Sequence, residues 1–190
     1  MGRWEPDARG RLARAALELY AERGYEQTTV ADIAQHAGVT ERTFFRHFTD
    51  KREVLFDRSN TLQDAMVAAI AAAPASTPPV EIVVGALQTA GAMLEERHDW
   101  SRRRATVIAA NPSLLERELL KLAALATAAG EALRGRGVRE PRASLAAEMG
   151  VTAFKVGFER WVAEPPTQRM KLADCIGDAL AEIRALTATR

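Results

Sequence analysis

Residues 28–51, TTVADIAQHAGVTERTFFRHFTDK, decide how the rest of the chain is read. Thr29 offers an N-cap hydroxyl, and Asp32 stands three residues on, at the spacing of a capping box. Val30, Ile33, Ala34 and Ala37 then recur on one helical face. Gly38 is the natural stop, because the residue past a helix end often needs the left-handed conformation that glycine takes cheaply. Thr40 caps a second helix, Glu41 to Phe48, on which Phe44 and Phe48 stand one turn apart on the side to be buried. Arg42, Thr43, Phe45, Arg46 and His47 are left on the other faces. Two short helices across a glycine turn, the second with donors outside, predict a helix-turn-helix whose second helix is sized for the DNA major groove.

The flanks extend the pattern. Ala15-Ala16, Gly24-Tyr25, Thr29-Val30-Ala31-Asp32-Ile33-Ala34, Ala37-Gly38-Val39, Thr43-Phe44-Phe45-Arg46-His47-Phe48, Asp50-Lys51 and Val54-Leu55 keep one order and spacing. Across residues 9–56 the chain resembles the TetR family of bacterial transcriptional repressors. The resemblance implies an all-α fold of about nine helices: an N-terminal three-helix DNA-binding head (residues 1–50) and a C-terminal helical ligand-binding and dimerisation domain (residues 51–190). It also implies a homodimer, a double-stranded DNA operator and a small-molecule effector.

Composition agrees with that class. The chain has 190 residues, 47% of them hydrophobic, enough for a real core. Alanine and leucine dominate, which favours helices. The net charge is +1, so a nucleic-acid signal must come from the placement of basic residues and not from their number. The single cysteine, Cys175, excludes an internal disulfide. No apolar run is long enough to span a membrane, and the charged start MGRWEPDARGR is unlike a signal peptide, so a cytoplasmic protein is expected.

Within the motif, positioning and reading are separate tasks. Thr29, Thr40 and Lys51 are the phosphate candidates, on the argument that helix N-termini favour anions. A lysine gains nothing from the dipole there, so an anion beside Lys51 would explain its position. Glu41, Arg42, Thr43 and Arg46 are candidates for base edges. Phe45 stands where the family usually has tyrosine; its ring either meets a thymine methyl or sugar, or packs on the head. The resemblance gives His47 a phosphate contact; the plain reading is a half-exposed imidazole. Arg3 and Trp4 belong either to a minor-groove arm or to a loose tail.

The remaining helices are expected at Asp7–Arg23 before the motif, then 51–73, 80–98, 101–110, 113–134, 141–163 and 167–188. The first of these buries Leu12, Ala15, Ala16, Leu19 and Tyr20. Asp50 caps the 51–73 helix, which by resemblance is the connector to the head. Leu115, Leu119, Leu122, Leu125 and Ala126 are expected inside the 113–134 helix. An effector site is expected among Leu94, Trp100, Arg104, Val107, Ile108, Leu122, Phe154, Phe158 and Trp161. The Arg102-Arg103-Arg104 run is either a solvated basic turn or a rim for an anionic, acyl-type ligand. Glu95, Glu96 and Asp99 would instead suit a cationic molecule. Leu145, Met149, Thr152, Val156, Ile176, Leu180 and Ile183 form strips suited to a two-fold four-helix dimer interface.

These features predict a ligand-responsive DNA-binding regulator, most simply a repressor. The alternative is a dimeric DNA-binding or architectural protein with no small-molecule ligand. No cofactor or metal is expected, since the three histidines and Cys175 lack ligand spacing. An enzyme is not expected either, because no nucleophile–base pair, paired carboxylates or phosphate loop is visible.

Overall fold

A computed structural model describes residues 7–56, 60–164 and 170–187. Among these, every regular element is helical: α1 (Ala8–Arg23), α2 (Val30–His36), α3 (Glu41–His47), a 3-10 turn (Glu53–Leu55), α4 (Thr61–Ala72), α5 (Pro79–Glu95), α6 (His98–Ala109), α7 (Pro112–Gly135), α8 (Arg142–Ala163) and α9 (Leu172–Thr187). The chain forms two compact units, Met1–Ser59 with Arg103–Arg117, and Asn60–Arg102 with Glu118–Arg190. The division expected at residue 50 therefore falls inside the first unit.

In the first unit, Asp7 caps α1 by accepting from the Gly10 amide, and Gly24 ends it at φ 87°. Leu12, Ala15, Ala16, Leu19 and Tyr20 of α1 are buried, with Ile33 and Ala34 of α2 and Phe44 and Phe48 on the α3 side. Tyr25 closes on Tyr20 edge to face, with centroids 5.1 Å apart.

The continuous helix expected from Lys51 to Ala73 is interrupted. Asp50 does cap, its Oδ1 accepting from the amides of Arg52 (2.8 Å) and Glu53 (3.0 Å). Only a 3-10 turn follows, and Phe56 is extended at φ −112°, ψ 126°. The Leu55 carbonyl, which in a helix would accept from the amide four residues on, accepts instead from Arg104 Nε at 2.8 Å. Helix resumes at Thr61, after Asn60 in the left-handed region at φ 44°.

In the second unit, α5 is buried along Ile82, Val83, Ala86, Leu87 and Ala90 and packs against α4, α8 and α9. The exposed carbonyls at the end of α4 are met by the Arg136 guanidinium, which donates to Ala71 O and Ala73 O at 2.8 Å. The start expected for the last helix, Thr167, lies outside the described residues. Within them α9 begins at Leu172, whose amide donates to Glu95 Oε1 at 2.5 Å. Burial pushes the Cys175 thiol upward, away from the thiolate that nucleophilic chemistry needs.

Two sequence expectations change. On α7, Leu125 and Ala126 are buried as expected and Leu122 is half-buried, but Leu115 and Leu119 are exposed and Leu114 is buried instead. Arg117, in register with Leu114, reaches Glu53. On α9, Ile176 and Leu180 are buried within their own chain and so are not available as a free dimer strip, and Ile183 is half-buried. On α8, Leu145, Thr152 and Val156 are exposed and Met149 is half-buried.

The reason Ile176 turns inward is glycine. A Cβ on Gly157 would lie 2.7 Å from Ile176 N and 2.8 Å from Ile176 Cα, so the backbones of α8 and α9 meet there. Gly157→Ala must force these helices apart and is expected to destabilise by about 1–3 kcal/mol. Gly85→Ala, where a Cβ would meet nothing within 4 Å, should be neutral or stabilising by up to about 1 kcal/mol. Urea-unfolding midpoints of the two variants check both.

Candidate nucleic-acid interface

The interface is built from local hydrogen bonding upward. At the start of α2, Thr29 Oγ1 accepts from the Asp32 amide (3.1 Å), while Asp32 Oδ2 accepts from the Thr29 amide (2.9 Å) and hydroxyl (2.6 Å). These bonds, the hydroxyl's first, hold the Asp32 carboxyl below its ordinary range. Gly38 takes φ 67°, and the Val39 amide donates back to Ala34 O at 2.9 Å, closing the turn. Thr40 Oγ1 then accepts from the Thr43 amide at 3.2 Å and starts α3.

Seven residues are too few for a stable isolated helix, so α3 depends on its buried side. Phe44 and Phe48 are 0% and 1% exposed, with ring centroids 5.6 Å apart. Each buried ring contributes about 1.5–3 kcal/mol relative to exposure. With that side fixed, Glu41, Arg42, Phe45 and Arg46 face solvent together and Thr43 is half-buried beside them. Phe45 is 55% exposed, so it does not pack into the head; its ring meets Phe44 in a T-shaped pair, with centroids 5.4 Å apart.

His47 is half-buried, and its Nε2 has no hydrogen-bond partner among the described residues. Burial lowers its pKa from the ordinary value, and Arg46 and Arg9 lower it further. Burial and the two guanidinium groups thus disfavour the protonated imidazole in the free protein.

Lys51, a phosphate candidate from the sequence, is half-buried and has partners within the head. Its ammonium donates to Tyr25 O (2.8 Å), Thr28 O (3.1 Å) and Glu26 O (3.4 Å), and it sits 4.4 Å from the Tyr25 ring centroid. An ammonium has three hydrogens, and three carbonyls take them. Its own carbonyl accepts from the Tyr20 hydroxyl at 2.6 Å. Burial raises the pKa of Tyr20, which keeps that donor protonated. Thr28, which is fully buried, donates its hydroxyl to Gly24 O at 2.9 Å. Sequence reasoning missed these ties. The available signal was a tyrosine on an apolar stripe, whose hydroxyl must find a partner.

The residues expected to bind an effector fall into both units. Arg104, Val107 and Ile108 belong to the first, with Arg104 engaged at Leu55 O. Leu94, Trp100, Leu122, Phe154, Phe158 and Trp161 belong to the second. There Phe154 and Phe158 stack at 6.1 Å, and Phe158 meets Trp161 at 5.7 Å. His98, absent from the sequence reading of this region, is 2% exposed. It lies edge-on to Trp161 at 4.5 Å, with Nε2 at 3.0 Å from the Trp161 carbonyl, so Nε2 carries the proton.

Comparison with known proteins agrees with this geometry. Residues 12–57 match the model described as bacterial regulatory proteins, tetR family, and residues 77–188 match the MftR C-terminal domain. The HTH-type transcriptional regulator TcmR of Streptomyces glaucescens is 42% identical over 80 residues, which are 42% of this chain and 35% of that protein. The HTH-type transcriptional repressor KstR2 of Mycobacterium tuberculosis is 32% identical over 91 residues, 47% of this chain and 46% of that protein. The chain thus matches less than half the length of either curated relative. Among solved structures, Thermus thermophilus FadR, a TetR-family transcriptional repressor in complex with lauroyl-CoA, superimposes with a TM-score of 0.52. It is 27% identical, over 96% of both chains. With the helix-turn-helix and most of the remaining chain both matched, the chain belongs to the tetR family of bacterial regulatory proteins.

Proposed function

We propose that the chain is a homodimeric transcriptional repressor that leaves a near-palindromic operator when a small effector binds. The observation that carries this reading is the sidedness of α3: Phe44 and Phe48 are buried while Glu41, Arg42, Phe45 and Arg46 are presented together to solvent. Such a helix end can lie against base edges in a major groove. Thr29, Thr40 and His47 then meet phosphates, and Thr43 lies at the edge of the reading face. Residues 1–50 do the reading, and residues 51–190 dimerise and hold the effector.

The exposed α8 strip of Leu145, Met149, Thr152 and Val156 supplies the dimer contact. The effector is an apolar molecule of acyl type, a reading supported by the lauroyl-CoA bound to the Thermus thermophilus relative. Its candidate neighbours in the second unit are the aromatic row Phe154, Phe158 and Trp161. It acts by binding one arrangement of the heads better than the other. The protein works in the cytoplasm, beside the DNA; no helix among the described residues is long and apolar enough to cross a membrane.

Selection of bound duplexes from a random library should return an inverted repeat with half-sites about one helical turn apart. Failure to enrich any sequence over bulk competitor would overturn the reading. Arg46→Ala should weaken the selected site by about ten- to a hundredfold, as expected for one lost bidentate base contact, and leave the dimer intact. A gel-shift titration with light scattering reads both.

Lys51 acts as a tie and not as a phosphate donor, a role supported by its three carbonyl partners. Lys51→Met should therefore lower the melting temperature and weaken operator binding without changing the slope of log affinity against log salt. A lost phosphate contact would flatten that slope by about one unit.

His47 couples binding to pH. In the free protein its pKa is lowered, first by burial. An operator phosphate raises it, so the complex holds more protons, and affinity should rise as pH falls from about 8 to about 6. His47→Gln should remove that dependence in titrations across the range. The sign for folding is opposite: a lowered imidazole favours the native state above the unfolded value, and that contribution is lost as pH falls towards the folded one.

A further inference from the structure

Within the first unit, residues Arg103–Arg117 pack against the residues that follow the helix-turn-helix. Arg104 Nε donates to Leu55 O at 2.8 Å, and its guanidinium lies 4.9 Å from the Phe56 ring centroid. Arg117 grips Glu53 with two bonds, Nε to Oε1 at 2.7 Å and Nη2 to Oε2 at 3.1 Å. Its guanidinium lies 5.2 Å from the same ring. Phe56 is 1% exposed between them. Two cations on one buried ring, with a two-pronged carboxylate pair beside it, form a defined clamp and not a solvated charge run.

The clamped turn is joined directly to the head. The Glu53 amide donates to Asp50 Oδ1 at 3.0 Å, and Lys51 between them holds the carbonyls of Tyr25 and Thr28 just before α2. We infer that Arg104 and Arg117 are positioning residues for operator binding: they fix the turn at Glu53–Phe56, which through Asp50 and Lys51 fixes the start of α2 and so the angle at which α3 is offered. This rests on the operator-binding reading above.

The clamp stands where the sequence predicts a continuous helix from Lys51 to Ala73, which gives way to a 3-10 turn ending at Leu55. All of its members lie in the first unit, Arg104 on α6 and Arg117 on α7.

The test uses the full chain as purified. Hydrogen exchange of the amides of Thr28–Phe48 and of α8–α9 is measured for the wild type, Arg117→Leu, Glu53→Leu and the exchanged pair Glu53→Arg with Arg117→Glu, together with affinity for the selected operator. Either single change should speed exchange in Thr28–Phe48 about tenfold while α8–α9 keeps its rates. It should also weaken operator binding about tenfold, and the exchanged pair should recover most of both losses. If Arg117→Leu does not fold, Arg117→Lys takes its place, since lysine keeps the charge but not the two-pronged geometry.

Unchanged exchange in Thr28–Phe48, a loosened head that binds the operator as well as wild type, or an exchanged pair no better than the singles would each overturn the inference. A wild type that prefers no duplex would overturn the operator reading instead. In that case the exchange rates alone decide whether the clamp holds the head.

Discussion

The head rests on the burial of two phenylalanine rings by a helix too short to persist alone. Without Phe44 and Phe48 inside, α3 has a capped first turn and little else. With them inside, the rotation of the helix is no longer free. Glu41, Arg42, Phe45 and Arg46 must point outward, because at this spacing they occupy the opposite arc. A reading surface is thus a by-product of a packing constraint. The residues that would discriminate bases contribute little to the fold, which leaves them open to change without loss of structure.

The same head uses its polar groups economically. Thr28 and Lys51 tie the loop Gly24–Thr28, Thr28 from within it and Lys51 from after α3, and the Tyr20 hydroxyl on α1 holds the Lys51 carbonyl. That loop sets where α2 begins. An ammonium held against carbonyls and an aromatic face is well matched electrostatically, and it removes unsatisfied carbonyls that would otherwise weaken a tight turn. Arg104 and Arg117 extend the arrangement to the 3-10 turn after the head. A net charge of +1 therefore conceals a division of labour: several cations serve the interior, while Arg42 and Arg46 remain for the outside.

The second unit follows a different rule. Its helices are alanine-rich and close-packed, and glycine sets the spacing where backbones meet, Gly157 on Ile176 and Gly150 on Val83. Close approach between α8 and α9 draws Ile176 and Leu180 into the chain's own core. On α8, Leu145 and Val156 stay exposed.

The sequence by itself determined what is local. The caps at Thr29, Thr40 and Asp50, the stop at Gly38 and the buried side of α3 follow from spacings of three or four residues, and the structure has them all. Family membership was legible for the same reason, since its motif is a run of such spacings. Only the tertiary structure decided which distant groups meet. Lys51 with Tyr25, Arg117 with Glu53, Arg104 with Leu55 and Gly157 with Ile176 join residues far apart in the chain, and no periodicity encodes such pairs. Those pairings interrupt the expected 51–73 helix, go with the burial of Leu114 in place of Leu115 at the start of α7, and draw Ile176 and Leu180 into the chain's own core. A helix's apolar pattern states that a face must be buried; what buries it, and which charges are drawn in with it, is settled by packing.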